Sequence, residues 1–179
     1  MGGIGWLIVG AEIAFWVVIL LGLVTRYILK KKGLGLFFLA LTPVIDLVLL
    51  IATAVDLYNG ATATTVHGIA AIYLGVSIAF GKSMIAWADR QFTYHILKQG
   101  QMPAKKYGFE HARHEIKGSF QHLLAFLIGA VFILGIHFFI GDHDRTAELL
   151  NPLRIWAIVV GIDLLYSASY FVWPKRVKE

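Results

Sequence analysis

Five runs of about 20 apolar residues punctuate this chain, and a run of that length leaves the backbone little choice. In hydrocarbon every N–H and C=O must be paired within the protein, which only helices and closed barrels achieve. The runs are too long, and too free of alternation, to be barrel strands. They predict helical spans over about 6–29, 34–58, 65–87, 119–140 and 153–173. The expected fold is therefore all-α, a polytopic transmembrane helix bundle with 1–179 as one domain. Composition agrees: 58% of residues are hydrophobic and 15% charged, with a mean hydropathy of +0.72. A soluble chain carries about 45–50% apolar and about 25% charged residues. There is no cysteine, which excludes disulfides and thiolate metal sites. "MGGIGWLIVG" has no basic segment ahead of its apolar run, so that run is expected to stay as a span instead of being cleaved as a signal peptide. Trp6 stands where a myristoylation signal needs Ser or Thr.

The basic residues set an expected orientation. Arg26, Lys30, Lys31 and Lys32 lie between the first two spans, and Arg90, Lys98, Lys105, Lys106, Arg113 and Lys117 lie between the third and fourth. Lys175, Arg176 and Lys178 follow the fifth. Thirteen cations thus share one side against Arg145 and Arg154 on the other. By the positive-inside rule the N-terminus is outside and the C-terminus cytoplasmic, with 89–118 a cytoplasmic loop. That arrangement accounts for the net charge of +5 without nucleic acid. Trp6, Tyr58, Trp87, Trp156 and Trp173 fall near the expected span ends, as an interfacial aromatic belt requires. Within the loop, helix is expected to run on from the third span, break around "GQMPAK" and resume near "FEHARHEIK".

Acidic groups inside the spans carry the functional signal. An aspartate at a helix centre costs roughly 2.5–3.5 kcal/mol on insertion scales. Asp46, in "LTPVIDLVLL", and Asp163, in "GIDLLYSASY", sit near the middle of the second and fifth spans. Both are expected to face the bundle interior, toward each other. Asp163, Tyr166, Ser167 and Tyr170 recur at helical spacing, and Thr42, Asp46 and Thr53 share a stripe. Pro43 has no N–H for the carbonyl of Leu39, leaving that oxygen open to another partner. Lys82 is the available counter-charge; it either pairs with Asp46 or Asp163 or snorkels to the interface.

A second constellation has similar expected depth toward the outer side: Glu12, Asp56, His67 and His137. Two histidines with carboxylates suit a transition metal, a proton relay or a hydrogen-bonded packing cluster. His67 and His137 are also the pair that one haem would need as axial ligands, while His122 alone gives a second haem no matched pair. "EHARHE" places His111 and Glu115 at i, i+4, a weak metal pattern that a solvated juxtamembrane helix explains better. Gly68 and Gly75, seven apart, supply a close-packing face on the third span.

No nucleotide loop, nucleophile elbow or metalloprotease motif is present, which favours a non-enzyme. Four segments ("GAEIAFWVVILLGLVTRY", "GLFFLALTPVIDLVLL", "GATATTVHGIAAIYLGVSIAFGKSMI" and "LRIWAIVVGIDLLYSASYFVWPK") give the chain its resemblance to the small five-span YmcC membrane proteins of Bacillus-type bacteria. The resemblance implies a bacterial plasma membrane, and it carries no activity or catalytic residue onto any position. The leading expectation is a protein that binds or moves a small solute, ion or proton through a polar interior. Asp46 and Asp163 are its central acids, Thr42 and Tyr166 their polar neighbours, and the outer acids and histidines an entrance. The alternatives are a non-transporting scaffold subunit and a metal- or haem-binding redox subunit. Five helices make a thin wall, so a pore would require a homodimer or another membrane subunit.

Overall fold

The computed structural model of the chain describes residues 3–98, 101 and 104–176. Five long apolar helices dominate it, in line with the five expected spans. The first is α1 (Gly3–Leu23), extended by a π turn at Val24–Ile28. The second is split into α2 (Lys32–Ala40) and α3 (Thr42–Tyr58). Then come α4 (Thr65–His95), α5 (Gly108–Ile140), the short α6 (His143–Thr146) and α7 (Leu150–Val172), with a 3-10 turn at Ala147–Leu149 before α7.

The surface is greasy where a soluble protein would be polar. Phe139, Leu165 and Val131 are 79%, 74% and 70% exposed. The buried interior is instead rich in small residues such as Ala70, Ala71 and Ala125. This inversion is what lipid demands, because apolar side chains lose nothing by facing acyl chains and small ones let backbones approach. α4, α5 and α7 pack together as one three-helix unit; α3 packs on α4, and α1 packs on α2 and α3. Gly75 faces the backbone of α5 at Ala125 and Gly129, and Gly68 faces Pro152 and Leu149, so the two expected glycines do pack, against different elements. Gly81 has open space beside it and plays no part in this packing.

The break at Leu41 has a local cause. Proline cannot donate to the carbonyl four residues back, and the Thr42 hydroxyl supplies that bond instead, donating to Leu39 O at 2.9 Å. In the basic loop α4 runs on to His95, and α5 begins at Gly108 and passes into the fourth span unbroken. Gly100, Met102 and Pro103 of the expected break lie outside the described residues, as does Lys178.

The belt expectation fails at one position. Trp6, Tyr58, Trp87 and Trp173 are all exposed by 59% or more, but Trp156 is only 7% exposed. Its ring lies over Gly129, where the missing side chain makes room, and its indole N–H is satisfied by His122.

Candidate functional site

The fold buries Asp46 to 3% exposure on α3. One carboxylate oxygen, Oδ2, accepts a hydrogen bond from the Ser77 hydroxyl on α4, and among the described residues no hydrogen-bond partner engages the other. Asp46 lines a cavity of about 430 Å³ floored by α3 and walled by α1 and α4. Glu12, Phe15 and Trp16 form one wall, and Tyr73 and Ser77 stand on the other. Among the described residues no lysine, arginine or histidine lines it. Trp16 and Tyr73 are 58% and 47% exposed, so the cavity opens onto the apolar surface. Two further hollows, of about 400 and 570 Å³, have almost wholly apolar walls and offer no comparable chemistry.

This geometry regroups the expected residues. Glu12 joins Asp46 in the cavity and leaves the outer constellation. Asp163 does not meet Asp46: its Oδ2 lies 3.3 Å from Nδ1 of His122 on α5. Lys82 is exposed and, among the described residues, pairs with neither Asp46 nor Asp163. Tyr166 is 59% exposed and its hydroxyl accepts from that of Tyr170 at 2.6 Å, while Ser167 on the inner face bonds Ser119 at 2.6 Å. One helix cannot present residues three and four apart equally when the inward stripe is narrow. Thr42 is spent on the Leu39 carbonyl and does not line the cavity.

The histidines fall into separate systems. His67 closes a reciprocal capping box with Thr64, its Nδ1 accepting from the Thr64 N–H at 3.0 Å. In the neutral ring that leaves the proton on Nε2, 3.4 Å from Asp56 Oδ2. At His137 both ring nitrogens are engaged. The Thr146 hydroxyl donates to Asp142 O, so it accepts from His137 Nδ1 at 2.7 Å. His137 Nε2 then accepts from His143 Nδ1 at 3.1 Å. A metal or haem iron at His137 would have to break one of these bonds. Among the described residues no three His, Asp or Glu side chains converge as a metal site. His111 is buried against Tyr170, with ring centroids 4.7 Å apart, and is not solvated as the loop pattern suggested.

At the same end, Arg145 ties the α5–α7 connection to the α3–α4 turn by donating to Ala61 O at 3.2 Å. Asp142 holds Arg145 through its backbone N–H and its guanidinium, and the first of these contacts chiefly keeps the carboxyl below its ordinary pKa. A lowered folded pKa stabilises above the unfolded value, and the contribution vanishes as pH falls through the folded one. The difference in Tm between wild type and Asp142→Asn should therefore be constant near neutrality and shrink below about pH 4 in a fluorescence melt.

A Bacillus subtilis (strain 168) protein, "Uncharacterized membrane protein YmcC", is 57% identical over 178 residues, covering 99% of this chain and 96% of the relative. The chain belongs to the YmcC family. No family model and no solved structure matches it.

This YmcC-family chain is thus a multi-pass bacterial membrane protein. Three of its polar residues have roles that the sequence does not announce. His122 bridges α5 and α7, accepting from the Trp156 indole N–H at 3.0 Å and facing Asp163 with its other nitrogen. Ser77 was one hydroxyl among many, marked only by its mid-span depth opposite Asp46. Asp89 was read as the start of a loop, yet Arg26 binds it with both prongs, Nε to Oδ1 at 2.7 Å and Nη2 to Oδ2 at 2.5 Å.

Proposed function

We propose that this YmcC-family protein binds a small solute, ion or proton in the α1–α3–α4 cavity and passes it between the bilayer and one of its faces. One observation carries the reading: Asp46 and Glu12 line the cavity and, among the described residues, no basic residue does. A carboxylate at this depth is costly unless paired or protonated, so the cavity favours a proton or a cation. The charge distribution supports placing the basic end of the bundle in the cytoplasm. Asp163 has no share in this role, because His122 occupies it.

The test is infrared titration of carboxyl bands in nanodiscs, paired with proton-flux measurements in liposomes. Wild type should show a carboxyl signal that exchanges with D₂O, titrates reversibly and disappears in Asp46→Asn. If Asp46→Asn and Glu12→Gln change neither titration, binding nor flux, the reading fails.

A second reading, a non-transporting interaction subunit, draws on the polar groups that are satisfied internally. Trp156, His122 and Asp163 form one such chain, and Ser119 with Ser167 another. These knit α5 to α7 and line none of the three hollows described above. Co-purification of a stable partner with a protein that lacks any carboxyl titration would favour it.

A further inference from the structure

We propose that the ligand of the α1–α3–α4 cavity is a lipophilic organic ammonium ion that enters from the bilayer. The inference rests on the cavity reading above and narrows it to one substrate class. Three properties of the walls select that class.

The first is charge. The cavity is lined by two acidic residues and, among the described residues, by no cationic one, so an anion has no counter-charge there. Asp46 is 97% buried and keeps one oxygen without a hydrogen bond among the described residues, so its polar demand is only half met inside the fold. The second is the shortage of oxygen ligands. Besides the two carboxyls the lining offers the Ser77 and Tyr73 hydroxyls, and Ser77 already donates to Asp46. A dehydrated calcium ion takes 6–8 oxygens and magnesium a near-ideal octahedron, which apolar walls cannot supply. An ammonium ion clothed in carbon needs no such shell.

The third is the aromatic lining. Phe15, Trp16 and Tyr73 stand around the acids, and aromatic faces attract alkylated ammonium groups while tolerating their hydrocarbon. A volume of about 430 Å³ lies within the usual range for small-molecule sites. The opening is on the lipid-facing surface, through exposed Trp16 and Tyr73, where an amphipathic cation concentrates. Asp46 and Glu12 then supply the counter-charge and the rings supply the walls. Protons compete for the same carboxylates, so binding weakens as pH falls.

The experiment uses the whole protein in nanodiscs of neutral phosphatidylcholine, with tritiated phenethyltrimethylammonium as probe and its uncharged tert-butyl isostere as competitor. Saturable binding is expected, with displacement by unlabelled ammonium and by acid but not by the isostere. Asp46→Asn and Glu12→Gln should each weaken it by about tenfold or more, as loss of a desolvated counter-charge does. Asp46→Glu, which keeps the charge, should retain binding, and it keeps the test decisive if Asp46→Asn folds poorly. Equal displacement by the isostere, or unchanged binding in both neutral variants, overturns the proposal. Absence of saturable binding alongside an intact carboxyl titration overturns the ammonium assignment alone. Absence of both overturns the cavity reading as well.

Discussion

Gly75→Leu should leave almost no monodisperse protein in detergent. A Cβ at Gly75 would strike the carbonyl oxygen of Ala125 and stand 3.2 Å from the amide nitrogen of Gly129. Both are backbone atoms of α5, so neither can swing aside, and the α4–α5 interface must part along its length. Overpacking ordinarily costs about 1–3 kcal/mol, and a clash with backbone belongs at or beyond the upper end. For a chain of this size about 3 kcal/mol corresponds to a fall in Tm of about 6–12 °C. Gly81→Leu is the matched control, since it lies on the same helix with nothing within 4 Å of its Cβ position, and it should behave as wild type. Equal stability of the two variants in a tryptophan-fluorescence melt would falsify the packing of α4 on α5.

The second large effect concerns Arg26 and Asp89. The π turn at Val24–Ile28 brings two consecutive side chains onto one carboxylate: Arg26 grips it with both prongs and the Tyr27 hydroxyl donates to it as well. Tyr27 also stacks on Phe92 with ring centroids 3.9 Å apart. The two charged side chains are 16% and 34% exposed, so this is a partly shielded pair. Removing one member of a buried pair costs about 3–5 kcal/mol because the survivor is left uncompensated; partial exposure reduces that here to about 1–3 kcal/mol. Asp89→Leu should accordingly lower Tm by several degrees. Arg26→Leu/Asp89→Leu should recover most of the loss, since apolar pairs replace shielded ion pairs at little net cost. A double-mutant cycle measures the coupling directly, and additive losses would show that the pair contributes nothing.

How much of this was legible beforehand divides along a physical line. The five helices were written in unbroken apolar length, which needs no knowledge of neighbours. The burial of Asp46 followed from insertion cost, again a property of one helix. What could not be read was which side chain would meet which. Asp46 and Asp163 both fall near the middle of an apolar run but belong to different helix pairs, so one found Ser77 and the other His122. Lys82 lies only five residues beyond Ser77, yet it points away from the cavity because 500° of helical turn separates them. Tyr166 and Ser167 differ by one position, and one ends exposed while the other is buried. Trp156 carried the composition of an anchor, and only the gap above Gly129 turned it inward. Facing is set by the crossing of helices, and that information is spread over the whole chain.

The attachment of α1 has a mechanical consequence. Its last turns are fastened twice, by the close approach of Gly22 to Leu39 on α2 and by the grip of Arg26 on Asp89. Its earlier turns, from Ala11 to Trp16, border the hollow, with Ala11 packed against the core beside it. A rod held most firmly at one end is a lever. Swinging α1 about that clamp would widen or narrow the doorway to Asp46 while α4, α5 and α7 stay as they are.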